Sequence, residues 1–200
     1  MKQVSSDLTG IALTVQSIKN GEVVIFPTDT VYGIGCNPYD ENAVDRVYTA
    51  KKRNRTKPLP ILGYSKSDLE NIVKFDDITN RIADKFWPGQ LTIVLPLIDD
   101  KLKKLSGGLT TLAVRVPNNK CTLSFLKECK LIVGTSANIA GEKPFTDPKN
   151  IEGVVPDCDI FLNDGAIQSS GASTIIEIQN GGIRILRSGG ISEKDLVGTL

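Results

Sequence analysis

The 200-residue chain contains no histidine. That absence removes Ser-His and Cys-His nucleophilic machinery, together with the commonest general base and metal ligand. An enzyme built from this sequence works by positioning and electrostatics, as phosphoryl and nucleotidyl transfer do. The four cysteines, Cys36, Cys121, Cys129 and Cys158, form no C-x-x-C pair. They therefore read as reduced thiols of a cytosolic protein rather than as a zinc site or redox motif, and no protein-built metal centre is expected. No apolar run approaches the roughly 20 residues of a membrane span. The N-terminus, MKQVSSDLTG, lacks the basic-then-apolar order of a secretory signal, so a cytoplasmic protein without membrane contact is expected. With a net charge of +1 there is no global basic field, and nucleic-acid binding would need a local patch. The first strand-to-helix turn is not G-x-G-x-x-G, and no G-x-x-x-x-G-K-[ST] occurs, so neither a Rossmann site nor a P-loop is supported.

What is present suffices for a real core: 40% of residues are hydrophobic, and the length fits one domain, taken as residues 1–200. Ile11, Val15 and Ile18 recur at helical spacing between Asp7 and Asn20. Val23 to Phe26 is an apolar, β-branched run, as in a strand buried on both faces. Asp40 is placed to cap a helix from Glu41 to Ala50. Leu59 to Leu62, punctuated by Pro58 and Pro60, reads as an edge strand. Helices are predicted near Ser67 to Val73, Asp77 to Phe86 and Thr122 to Cys129, with a last one starting at Ser192. Strands are predicted at Leu91 to Leu97, Leu112 to Val116, Leu131 to Val133, Ile160 to Leu162, Ser173 to Ile178 and Ile183 to Leu186. The order is irregular and some links are of hairpin length, as at Asn180-Gly181-Gly182. The fold class expected is therefore α/β of the α+β type: a mixed, twisted sheet flanked by helices.

Val23 to Leu59 concentrates the chemistry. Thr28, Asp29 and Thr30 follow a buried strand, and Lys51, Lys52, Arg53, Arg55 and Lys57 then place five cations in seven residues. Downstream, Arg115 stands mid-strand in TLAVRVP, where burial is costly without an anion partner. Ser136 and Asn138 lie in GTSANIAG after a buried strand, where hydroxyl, amide and backbone N–H groups can receive phosphate oxygens. Thr111, Ser173 and Arg187 also sit in or beside apolar strands. Singly, each has an ordinary structural reading: a solvated charge, a turn, a hydroxyl bonded to backbone. Together they suggest a site for a polyanionic small molecule.

In this order, PTDTVYGIGCNPYDENAV, AKKRNR, KPL, FWPGQLTIVLP, LAVRVP, GTSANIAGEKPFT, STIIEI and ILRSG resemble the YrdC/TsaC family from about Gly21 to Gly189. The resemblance implies a YrdC-like fold around a large, positively lined cavity. It also implies an L-threonylcarbamoyladenylate synthase, a nucleotidyltransferase condensing L-threonine, bicarbonate (or carbon dioxide) and ATP to threonylcarbamoyl-AMP and pyrophosphate. A downstream threonylcarbamoyl transferase complex then modifies tRNA next to the anticodon. Mg²⁺ accompanies ATP. By motif position, Lys51 and Arg55 resemble phosphate ligands, and together with Arg187 they are the expected catalytic cations. Thr111, Ser136, Asn138, Thr146 and Arg187 complete the ATP side. Thr28, Arg115, Gly134 and Ser173 resemble the threonine side, with Arg115 a partner for the amino acid's carboxylate. The chain departs from the family pattern at Thr135, where relatives often have proline, at Pro60, and in GEKPFT, which leaves Thr146 in place of a family serine. Longer relatives carry a second C-terminal domain, and this chain resembles the short form. The alternative is an RNA-binding YrdC-like paralogue without synthase activity, since the family cavity is associated with tRNA or double-stranded RNA.

Overall fold

The computed structural model describes residues 1–151, 157–168, 171–179 and 181–199. Helices begin where short polar side chains cap them. Asp7 accepts from the Gly10 N–H to start α1 (Leu8–Lys19), and Asp40 accepts from Ala43 to start α2 (Glu41–Ala50). Ser65 starts α3 (Lys66–Glu70), Asp76 forms a capping box on α4 (Asp77–Phe86), Asn119 starts α5 (Lys120–Cys129) and Ser192 starts α6 (Glu193–Val197).

The strands are β1 (Lys2–Ser5), β2 (Val24–Phe26), β3 (Gly33–Gly35), β4 (Ile61–Gly63), β5 (Leu91–Pro96), β6 (Thr111–Arg115), β7 (Leu131–Val133), β8 (Thr135–Ser136), β9 (Ile160–Asn163), β10 (Thr174–Gln179) and β11 (Gly182–Arg187). The mixed α/β character expected from the sequence is present, distributed over two sheets. One runs β1-β9-β2-β3-β8 and the other β11-β10-β5-β6-β4-β7, each combining parallel and antiparallel pairs.

Several local expectations change. The segment read as an edge strand at Leu59 to Leu62 is β4, an interior strand between β6 and β7. Pro60 lies just before it, so its missing N–H costs no ladder bond. Gly33 and Gly35 bound the short strand β3. A Cβ on Gly35 would lie 1.6 Å from the Val133 carbonyl oxygen; glycine lets strands from the two sheets touch, and the Val133 N–H donates to Cys36 O at 3.0 Å across the same seam. The polar excursion around Lys101 to Lys104 is a 3₁₀ turn, Asp100–Ser106. The turn at Thr135 and Ser136 is the short edge strand β8, and β1 is a strand the sequence reading did not anticipate. Asn180 of the β10–β11 turn, and part of the Pro/Asp-rich loop before Asp157, lie outside the described residues.

Two apolar clusters form the core. Along β2, Val24 and Phe26 enter one and Val23 and Ile25 the other, the alternation of a strand with both faces covered. Ile18 of α1 and Phe125 of α5 fill the first; Val44 and Val47 of α2 and Ile82 of α4 fill the second.

Candidate active site

A cavity of about 490 Å³ opens where the two sheets face each other. Its floor is one face of the six-stranded sheet. Thr92 and Val94 of β5, Ala113 and Arg115 of β6, and Ser173 and Ile175 at the start of β10 alternate along their strands, so their side chains share that face. Registration fixes the array, with Thr92 opposite Ile175 and Val94 opposite Ala113. The other wall comes from the turn after β2 (Thr28, Thr30, Val31), from Gly33, and from the loop through Gly134, Ser136 and Asn138.

Arg115 is 5% exposed, and its partners explain how a charge is tolerated there. Nε donates to the Gly89 carbonyl at 2.8 Å, Nη1 to Thr30 Oγ1 at 3.2 Å, and Nη2 to Asp29 Oδ1. Burial pulls the guanidinium pKa down, and Asp29 opposes that pull. Thr28 organises the turn that carries Asp29: its hydroxyl donates to Val31 O at 2.6 Å and accepts from the Thr30 and Val31 N–H groups.

Arg187 is tied back to the floor. Nε and Nη2 donate to Ser173 O at 3.1 and 2.8 Å, and Nη2 also reaches Ser173 Oγ, which pairs with Thr92 Oγ1 at 2.9 Å. Its pKa is lowered by burial and by the nearby Arg115 charge.

Lys51 does not line the cavity. Its side chain is buried behind the Ser136–Asn138 loop, where Nζ donates to Ser136 O, to Asn138 O at 2.8 Å and to Asn138 Oδ1 at 3.4 Å. The Lys51 carbonyl accepts from Ala140 N–H at 2.8 Å, so one residue fastens the loop by side chain and backbone. No carboxylate is among these partners, and burial pulls the ammonium pKa down from 10.5 to about 8, with Arg53 adding to the shift.

The basic run divides. Lys52 takes a left-handed φ of +48° and turns the chain back after α2. Arg53 then lies against the cavity, with Nη2 on Pro58 O at 2.8 Å. Arg55 points away, paired with Asp45 and lying 5.6 Å from the Tyr48 ring centroid. Thr111 is on the same face of β6 as Ala113 and Arg115, one step beyond the lining. Thr146 also lies outside it, its carbonyl accepting from Ile167 N–H at 2.8 Å.

The structure thus gathers Thr28, Arg115, Gly134, Ser136, Asn138, Ser173 and Arg187 around one space and leaves Lys51, Arg55, Thr111 and Thr146 behind or beside it. It adds Thr30 and Arg53, assigned no role from sequence beyond membership of the turn and the basic run, and Thr92 and Glu142, not singled out there. Thr30 and Thr92 had a signal, each being a hydroxyl in or just after a run of buried strand residues. For Arg53 the basic run was the signal, but nothing in it told Arg53 from Arg55, because the backbone turn at Lys52 sets the two apart. Glu142 is the one carboxylate among the lining residues, and the described residues hold no cluster of three or more acidic, cysteine or histidine side chains.

Comparison with known proteins agrees with this architecture. Residues 16–189 match the family model described as telomere recombination, the Sua5/YciO/YrdC family. A Pyrococcus abyssi protein named threonylcarbamoyl-AMP synthase is 34% identical over 93% of this chain and 56% of its own length; a Bacillus subtilis protein of the same name is 33% identical over 97% and 57%. The chain therefore spans little more than half of these two, but 89% of a 31% identical Mycobacterium tuberculosis relative. Among solved structures, Pyrococcus abyssi Sua5 complexed with L-threonine superposes with a TM-score of 0.90 at 32% identity, over 99% of this chain and 61% of the other. Escherichia coli YciO, 22% identical, shares the fold with a TM-score of 0.85 over 97% of both chains. With its strand-end hydroxyls and arginines gathered on one cavity, and with residues 16–189 inside the family model, the chain belongs to the Sua5/YciO/YrdC family.

Proposed function

We propose that this chain is an L-threonylcarbamoyl-AMP synthase, consuming L-threonine, bicarbonate and ATP and releasing pyrophosphate, in the service of tRNA modification. The observation that carries the reading is the meeting, in one cavity, of a buried arginine suited to a carboxylate (Arg115) with hydroxyls and further arginines suited to phosphates. The names of the relatives, and the threonine complex of the Pyrococcus abyssi protein, point the same way.

The chemistry needs no histidine. The threonine amine attacks the bicarbonate carbon and a C–O bond breaks with loss of water, giving a carbamate whose oxygen then attacks the α-phosphorus as pyrophosphate leaves. The protein's part is to hold the two ends in line and to neutralise charge. Arg115, Thr28 and Ser173 hold the amino acid. Ser136, Asn138, Arg187 and Arg53 face the nucleotide. Mg²⁺ enters as part of the ATP substrate and offsets phosphate charge when bound. Lys51 acts through the loop it fastens.

Pyrophosphate release should require L-threonine, bicarbonate and ATP together; release no higher than with ATP alone defeats the reading. Should the protein instead bind tRNA with steep salt dependence, indifferent to ATP and threonine, the RNA-binding alternative stands in its place. The split basic run gives a second expectation. Arg53→Ala should weaken ATP binding by about tenfold, the loss of a charge-assisted contact. Arg55→Ala should change it by less than about twofold, because an exposed pair such as Arg55–Asp45 is worth little. Titration of a non-hydrolysable ATP analogue into each variant reads this directly, and the reverse order returns the phosphate role to Arg55.

A further inference from the structure

Gln90 stands between the Trp87-Pro88-Gly89 break and β5, outside the cavity lining. Its side-chain Nε2 donates to the Asp29 carbonyl at 2.7 Å. The residue before it, Gly89, supplies the carbonyl that accepts from Arg115 Nε at 2.8 Å. Thr30 and Asp29 hold the other two guanidinium nitrogens, Nη1 and Nη2. These contacts close a ring. It runs from Gly89 to Gln90 along the chain, from Gln90 to Asp29 through the amide, from Asp29 and Thr30 to Arg115, and back to Gly89. One glutamine side chain therefore sets the span between the two anchors of the guanidinium.

The same residue reaches the rest of the floor. Gln90 O accepts from the Thr174 N–H at 3.0 Å, next to Ser173. On its other side the amide packs on Gly190, which follows Arg187 by three residues. A Cβ on Gly190 would lie 1.8 Å from Gln90 Oε1, and the next two nearest atoms, Cδ at 2.9 Å and Cβ at 3.3 Å, also belong to Gln90. A methyl group at position 190 thus displaces this one flexible side chain. Loss of the amide from the Asp29 carbonyl frees the turn that carries two of the three guanidinium partners, and a shift of about 1 Å in a binding group can cost up to about 100-fold. We propose that Gln90 is a positioning residue, acting through Gly89 and the Asp29 turn to aim Arg115 into the cavity. The inference rests on the synthase reading and names what sets the geometry of that site.

The test is calorimetric titration of L-threonine into the wild type, Gln90→Met, Gly190→Ala and the double variant, with urea unfolding of each. Methionine keeps the length of the side chain and its packing on Gly190 and removes the N–H donor. Alanine at 190 leaves Gln90 in the sequence and pushes its amide off Asp29. Each single change should weaken threonine binding by about tenfold. The double variant should also lose about tenfold rather than about 100-fold, because both changes act through one contact. In pyrophosphate-release assays, Gln90→Met should raise KM for threonine and leave KM for ATP within about twofold. A Gln90→Met protein that is less stable but binds threonine within about twofold of wild type overturns the assignment and makes the glutamine structural. So do single losses that multiply in the double variant. If Gly190→Ala does not fold, the Gln90→Met titration decides alone. A wild type that binds no threonine overturns the synthase reading and the assignment together, so failure of the assignment alone is recognised by a wild type that binds.

Discussion

Replacing Lys51 with methionine should lower kcat/KM for ATP by about 100-fold, the scale of removing a preorganised polar contact from an active site, although the side chain does not face the cavity. Methionine preserves most of the aliphatic stem but leaves the Ser136 and Asn138 carbonyls and Asn138 Oδ1 without their donor. Those residues line the cavity, so the loop shifts where the nucleotide would lie. The same variant exposes a titration. A lysine whose folded pKa of about 8 lies below its ordinary 10.5 contributes stability that is present above the higher value and lost as pH falls through the lower. Wild type minus Lys51→Met should therefore rise by about 3 kcal/mol between the two limits. The comparison must be a difference, because the Cys121 and Cys158 thiols, pushed by burial up to about 12, titrate against it over an overlapping range. Urea unfolding of both proteins across that range is the measurement. A flat difference means that the Lys51 ammonium titrates in the folded protein as it does in the unfolded chain, unshifted by burial.

Arg115→Ala should do two things at once. Stability should fall by about 3–5 kcal/mol, the cost of leaving a buried carboxylate unpaired, here that of Asp29. Threonine affinity should fall by about 100-fold or more through loss of the carboxylate contact. The double change Arg115→Met with Asp29→Asn separates the effects, because it removes both charges. It should recover most of the stability, measured by urea unfolding, and none of the threonine binding, measured by titration. Recovery of both would mark the arginine as purely structural.

The helices were legible because their signals are local. Asp40 capping three residues ahead, or the break at Trp87-Pro88-Gly89, needs no knowledge of the rest of the chain. The sheets were less so. Lys2 lies opposite Ile160 in β1 and β9, and nothing near either residue announces the other. The same holds for β4, where Pro58 and Pro60 just ahead of the strand suggested an edge although β6 and β7 lie on either side of it. Within the site, Thr28, Ser136 and Ser173 were readable as hydroxyls at the ends of buried strands. The choice between Arg53 and Arg55 was not, because it hangs on one backbone angle at Lys52. Nor was the position of Lys51: a cation at the end of an amphipathic helix does not reveal whether it reaches into a cavity or behind its wall.

The interleaving of the two sheets bears on how the protein comes into being. β2 and β3 are made early, yet their sheet is not complete until β9 has been synthesised and slotted between β1 and β2. The cavity floor waits longer still, for β10 and β11. No growing chain short of Arg187 therefore owns a binding site, and an emerging nascent protein holds unpaired strand edges until that point. Pairings of such long sequence separation also fold slowly. For this architecture, ligand can first be held only once β11 has joined β10 beside the cavity floor.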